Sequence, residues 1–170
     1  WWPKILKKEI IKSSKNGFIN THPSLLPFNR GKHFSFWSIV EGSPFGVTLH
    51  FVEEGIDNGN IIIQSRIEYD WEDTGETLYK KAQSEMISLF KKNYNKIRSL
   101  KIKSIVQDTT KGSFHLSSEI NQASKLDLNE FKKVKDLLNL LRAKTFVGHK
   151  GCSFIDDGIE YEIQISIKKI

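Results

Sequence analysis

The stretch "GFINTHPSLLPFNRGKHFSFWSIVEGSPFGVTLHFV", residues 17–52, decides the fold. Its first six residues are a short apolar run opened by Gly17 and closed before Pro23, and residues 45–52 (FGVTLHFV) are a second. Between them, residues 33–42 (HFSFWSIVEG) have the composition of a short helix ending at Gly42. A third run, residues 60–67 (NIIIQSRI), follows the loop 53–59 (EEGIDNG). Runs of β-branched and aromatic residues punctuated by Gly, Pro, Asn and Asp read as strands. The first and third lack polar alternation in their apolar parts, which predicts burial on both faces. Strand, helix and strand in succession predict part of an α/β sheet with crossovers.

Downstream the period changes. Residues 74–97 carry Leu78, Ala82, Met86, Leu89 and Phe90 at three- and four-residue steps behind Thr74, a residue suited to cap a helix. The next stretch, "KKNYNKIRSLKIKSIVQ" (91–107), holds six Lys or Arg and no acid. It reads as a solvated helix end and an edge strand, with nucleic-acid contact as the alternative. Residues 109–128, rich in Ser, Thr, Asn and Gly, read as a connection. Residues 129–143 put Phe131, Val134, Leu137, Leu138 and Leu141 on one helical face, and "CSFIDDGIEYEIQISI" (152–167) reads as a hairpin turning at Asp157-Gly158. The predicted division is 1–108 and 109–170, the second a helix plus β-hairpin region.

Bulk properties exclude several classes. The 170 residues are 38% hydrophobic and 27% charged, which suits a folded globular domain. The single cysteine, Cys152, has no internal disulfide partner, and no apolar run approaches the roughly 18 residues of a membrane span. A reduced, cytoplasmic protein without membrane contact is expected. The opening "WWPKILKKEI" has neither an initiator Met nor a long apolar leader, which predicts a truncated chain without a secretory peptide. The net charge of +6 suits an anionic partner. The five histidines show no HExxH spacing, and no metal site is expected.

Residues i and i+2 of a strand share a face, so Asn20 and His22 should project together from the end of the first strand, where open α/β sheets bind ligands. An amide beside an imidazole can donate two hydrogen bonds to a developing oxyanion. Asp57, between Gly55 and Gly59, is the candidate carboxylate to orient the imidazole and raise its affinity for a proton. The plainer readings are a capped strand end and a turn-initiating Asp. His50, inside the second strand, reads as a sheet-face or core residue, and Trp37 as core.

The motifs "N-x-HPSLLP-x-x-RG" (20–31) and "GVTLHFVEEGIDNG-x-II-x-Q" (46–64), spaced and in this order, resemble the folate-dependent formyltransferase family. The resemblance implies a Rossmann-like sheet of which this chain holds the C-terminal portion, the first β-α-β strands lying outside it. It implies an Asn, His and Asp triad at Asn20, His22 and Asp57, and N10-formyltetrahydrofolate as the one-carbon donor, its pterin ring meeting Glu53, Glu54, Gly55 and Ile56. "FNRGKHFSFW", "DTGETLYKKA" and "LLRAKTF" resemble the members that formylate nucleotide-linked 4-amino-4,6-dideoxysugars. Ser24, Arg30, Lys32 and His33 would then face the nucleotide sugar, with the two cations on its diphosphate. A homodimer is expected. A methionyl-tRNA formyltransferase, which would use the basic stretch as a docking site, and an inactive remnant are the alternatives.

Overall fold

The computed structural model describes residues 5–170. Residues 1–4, where the first expected domain opens, lie outside the described residues. The element order is α1 (Lys8–Ser13), β1 (Ile19–His22), β2 (Arg30–Gly31), α2 (Phe34–Glu41), β3 (Gly46–Phe51), β4 (Ile61–Arg66), α3 (Gly75–Arg98), a 3-10 turn (Thr109–Lys111), β5 (Phe114–His115), α4 (Glu119–Ala123), α5 (Val134–Lys144), β6 (Cys152–Asp156) and β7 (Ile159–Ile163).

The three expected strands form one sheet in the order β1-β3-β4, and both pairings are antiparallel. The crossover geometry expected from the strand-helix-strand order is therefore absent from this three-stranded sheet: α2 turns the chain back, and β3 runs beside β1 in the opposite sense. Burial also differs from expectation. The central strand β3 is the buried one, with five of its six residues buried, while β1 and β4 flank it and are mostly half-buried. A sheet's middle strand is covered on both edges and both faces, whatever its own alternation.

One apolar core joins the two expected regions. Phe45, Val47 and Leu49 of the sheet segment pack with Ile39 of α2, with Leu78 and Ala82 of α3, and with Leu140, Ala143 and Cys152 from the C-terminal part. Helix α3 runs as expected, and Thr74 and Thr77 close a reciprocal capping box at its start. Gly75 is demanded by packing: a Cβ there would lie 2.1 Å from the Ala143 carbonyl oxygen, so α3 and α5 meet backbone to backbone. Phe90, expected in the buried stripe, is 40% exposed.

Helix α5 begins at Val134, not at 129, and its buried face is turned from the expected one. Phe131 and Val134 are exposed, whereas Leu140, Leu141 and Ala143 are buried. The hairpin forms as read, with both turn residues at positive φ, Asp157 at 46° and Gly158 at 78°, the backbone of a type I′ turn. Ile105, in the stretch read as a helix end and edge strand, bridges Ile61, and residues 109–128, read as a connection, contain the strand β5 paired in parallel with β2 and the helix α4. They form a strap across the loops that follow β1 and β3.

Candidate active site

Strand pairing assembles the first half of the site. In the β1–β3 register Asn20 lies opposite His50, and His22 opposite Thr48. Residues facing each other across antiparallel strands share a face, so Asn20, His22 and His50 all project to the same side. The Asn20 amide nitrogen is 3.4 Å from His50 Nε2. His50, read from sequence as a core residue, is indeed buried, but in the site: Nε2 stands 3.7 Å from Asp57 Oδ1, and Nδ1 is 2.8 Å from the Phe51 carbonyl oxygen. Register, which sequence alone did not supply, was the missing signal.

The two long loops supply the second half. His22 Nδ1 is 3.3 Å from Asp57 Oδ2, and Nε2 donates to the Asn29 carbonyl oxygen at 3.2 Å. Asp57 Oδ2 also accepts from the Gly31 amide at 3.1 Å, so one carboxylate ties the loop after β1 to the loop after β3. Asn29, His33 and Asp57 have positive φ values of 52°, 57° and 48°. Asn, Asp and His tolerate this left-handed region better than other residues with a side chain, and such conformations gather where a site imposes them.

Burial and charge oppose each other at the histidines. Burial is the largest influence on His22 and lowers its proton affinity; Asp57 and the Asn29 carbonyl pull the other way without overcoming it. His50 is lowered too, again by burial first and against the pull of Asp57. Asp57 thus stands against the ring and favours its charged form in opposition to burial. In a neutral ring the Asn29 carbonyl takes the Nε2 hydrogen and Nδ1 faces Asp57, where a proton can be taken up.

Of the other expected site residues, Glu53, Glu54 and Gly55 are exposed and Ile56 is half-buried, forming an open loop edge. Glu54 pairs with Lys8 at 2.7 Å, and its carbonyl oxygen accepts from Asn58 Nδ2 at 2.7 Å. Gly55 sits at φ 112°, and a Cβ there would meet Asn58 Nδ2 at 2.5 Å, so this glycine is required by the loop itself. Arg30 lies 5.8 Å from the Phe114 ring with its Nε buried and unpaired. Lys32 is exposed near His22, whose proton affinity it lowers, and His33 is half-buried at the start of α2. Ser24 is fully buried and its hydroxyl donates to the Phe28 carbonyl oxygen, so it shapes the loop and presents nothing to solution.

Sequence reading missed Lys144, whose charge at the end of α5 reaches His33; only the fold brings it there. It also missed an aromatic row: Phe34 meets the His22 ring edge-on at 6.0 Å, Tyr79 stacks on Phe34, and Phe146 abuts Tyr79. Among the described residues no cluster of three His, Cys, Asp or Glu side chains is arranged to hold a metal, and no helix is long and apolar enough to cross a membrane.

Comparison with known proteins bears on this geometry. The pattern describing formyl transferases matches residues 1–92, and that of the N-formyltransferase dimerization C-terminal domain matches residues 119–169. A dTDP-4-amino-4,6-dideoxyglucose formyltransferase from Mycobacterium bovis is 31% identical over 140 residues, covering 81% of this chain and 58% of its own length. The chain thus spans 58% of that curated relative. The crystal structure of a 4-N formyltransferase from Francisella tularensis superposes with a TM-score of 0.91 at 28% identity, covering 99% of this chain and 69% of that one. The formyltransferase PseJ from Anoxybacillus kamchatkensis, solved in complex with UDP-4,6-dideoxy-4-formamido-L-AltNAc and tetrahydrofolate, matches with a TM-score of 0.67 at 35% identity, over 70% of this chain and 62% of that one.

Proposed function

Because the chain belongs to the formyl transferase family, we propose that it carries the catalytic centre of an enzyme that moves a formyl group from N10-formyltetrahydrofolate to the amino group of a nucleotide-linked 4-amino-4,6-dideoxysugar. The observation that carries this reading is the convergence of Asn20 and His22, both on β1, with Asp57 from the loop after β3: Asp57 meets the buried His22 ring, and Asn20 projects from the same strand face. The sugar amine attacks the formyl carbon, and the carbonyl electron pair moves onto oxygen. Asn20 donates to that oxygen, while the amine's proton passes to the His22–Asp57 pair. Protonated His22 then places a positive charge beside the oxyanion. Collapse of the intermediate breaks the carbon–N10 bond, and the proton returns to the leaving nitrogen.

The folate reading rests on the open edge 53–57 and on two buried acceptors beside it. Asn58 Oδ1 and Gln107 Oε1 have no hydrogen-bond partner, and a pterin ring offers N–H donors of the kind they lack. This fits the group, and PseJ was solved with tetrahydrofolate. On the substrate side, Arg30, Lys32 and Lys144 supply positive charge suited to a diphosphate, beside His33. Dimerization would use the hairpin, where Phe154 stacks on Tyr161 at 5.3 Å while Ile155 and Ile159 are exposed.

The test is an assay of the natural full-length polypeptide containing this sequence, offered N10-formyltetrahydrofolate with a panel of nucleotide-linked amino sugars and, separately, methionyl-tRNA. Formylation of a 4-amino sugar is expected. Formyl transfer to the tRNA alone would overturn the sugar reading, and no transfer to any acceptor would favour the inactive remnant.

A further inference from the structure

Asn29 lies between β1 and β2, outside the triad, and is completely buried. Its side-chain oxygen accepts from the Ser38 hydroxyl at 2.8 Å and the Ser43 hydroxyl at 2.9 Å. Its amide nitrogen donates to Glu41 Oε2 at 2.9 Å and to the Ser113 hydroxyl at 3.3 Å. The main chain is held as well: the Asn29 N–H donates to Ser113 Oγ at 3.0 Å, and the Arg30 N–H donates to the Ser113 carbonyl oxygen at 3.0 Å. The peptide unit between Asn29 and Arg30, whose oxygen receives His22 Nε2, is thus fastened on both sides. Behind it Glu41 also holds Ser113 Oγ at 2.8 Å and His115, whose second ring nitrogen meets Glu119 at 2.9 Å. Four hydrogen bonds on one buried asparagine side chain, with a backbone φ of 52°, are more than a turn needs.

We propose that Asn29 is a positioning residue for His22: it fixes a backbone oxygen on Nε2, so that Nδ1, facing Asp57, is the nitrogen that exchanges protons with the substrate. A carbonyl fixed on Nε2 leaves the Asp57 side of the ring as the one where a proton can be taken up or given back. The strap residue Ser113 is part of this lock, which makes the segment after α3 a determinant of imidazole orientation. The significance for catalysis rests on the formyl transfer reading; the orientation itself does not. The charged and titratable groups around the ring are Asp57 at Nδ1, Lys32 in the loop after β2, and His50 on β3.

The experiment uses this chain labelled with nitrogen-15 histidine, followed by proton–nitrogen correlation spectra across a pH titration, with a melting curve for each variant. In the unaltered chain neutral His22 should be the Nε2–H tautomer. Asn29→Gly, which tolerates the positive φ, removes the side-chain anchors; it should admit the Nδ1–H tautomer and move the His22 midpoint down, because an acceptor that favours the charged ring is loosened. Ser113→Ala should shift both readings the same way by less, and Ser113→Thr, which keeps the hydroxyl, should restore them; this pair decides the matter if Asn29→Gly does not fold. A neutral Nδ1–H tautomer in the unaltered chain, or folded variants whose tautomer and midpoint do not change, would overturn the proposal. Since none of these readings involves turnover, an assay without formyl transfer would count against the enzymatic reading alone.

Discussion

Asn20 offers the site a hydrogen-bond donor held by nothing stronger than a 3.4 Å contact with His50. A donor so loosely engaged is free to follow charge onto a formyl oxygen, and loss of one such donor costs about a hundred- to a thousandfold in turnover in other oxyanion sites. Asn20→Ala in the full-length polypeptide is therefore expected to lower kcat by about that range, with folate KM nearly unchanged. A decrease confined to KM would assign Asn20 to binding instead. The residue was legible from sequence because a strand's period of two needs no tertiary information: once residues 17–22 are a strand, Asn20 and His22 share a face. His50 and Asn29 were not legible, because their partners are fixed by strand register and by a loop closing on a helix. Lys144 comes from an element more than a hundred residues downstream of its neighbour His33, and nothing local marks it.

Strands, helices and hairpin followed their local signals closely, and the elements that departed did so for packing reasons. Helix α5 turned its face because Gly75 lets α3 approach to backbone contact, which selects Leu140, Leu141 and Ala143 over Phe131 and Val134. The strap carries the larger lesson, since neither the basic stretch that ends at Gln107 nor the polar, aperiodic connection after it gave a sign of buttressing the site. Its Gln107 is buried, and its amide nitrogen donates to the Asp57 carbonyl oxygen at 3.1 Å and the Gly59 carbonyl oxygen at 2.9 Å. Gln107→Leu leaves both oxygens without that donor, at a cost of about 1–3 kcal/mol for a buried polar group. The expected result is a lower melting temperature together with faster amide exchange at Phe51, whose N–H bonds the Asn60 carbonyl at the end of this loop. Exchange at Phe51 equal to that of the unaltered chain would detach the strap from the Asp57 loop. Gly55 bears on the same loop: a bulkier residue there strains the turn through its φ of 112° and its contact with Asn58, so weakened folate binding in Gly55→Val would report loop distortion and not a direct clash with the pterin.

The molecule as a whole buries imidazoles that a free chain would protonate. His22 and His50 are lowered chiefly by burial, and His33 is lowered by burial and also by Lys144 and Lys32, against a hydrogen bond it gives to the Ser117 backbone. The sign follows from linkage: a group whose folded proton affinity is depressed contributes stability that is present above its unfolded value, here 6.5, and lost as pH falls toward the lowered folded one. In that window the unfolded chain binds more protons than the native one, so stability rises with pH. Acidification from about pH 7.5 to 5.5 should therefore lower the melting temperature before the carboxylates begin to titrate. The carboxylates of Asp73 and Glu76 extend the loss to more acid conditions, because each has a lowered folded value; Asp73 reaches it through Lys81, Thr77 and the Asp70 amide despite opposing burial, and Glu76 chiefly through Lys80. The histidine part is separable: His50→Asn removes a buried imidazole that sits opposite Asn20, and should flatten the upper portion of the curve while leaving the acid portion in place. Calorimetric melting across that range checks it. A melting temperature that stays level down to the carboxylate range, or a His50→Asn curve with an unchanged slope, would mean that the sheet face admits a proton as easily as water does, and that these rings are not held neutral by the fold.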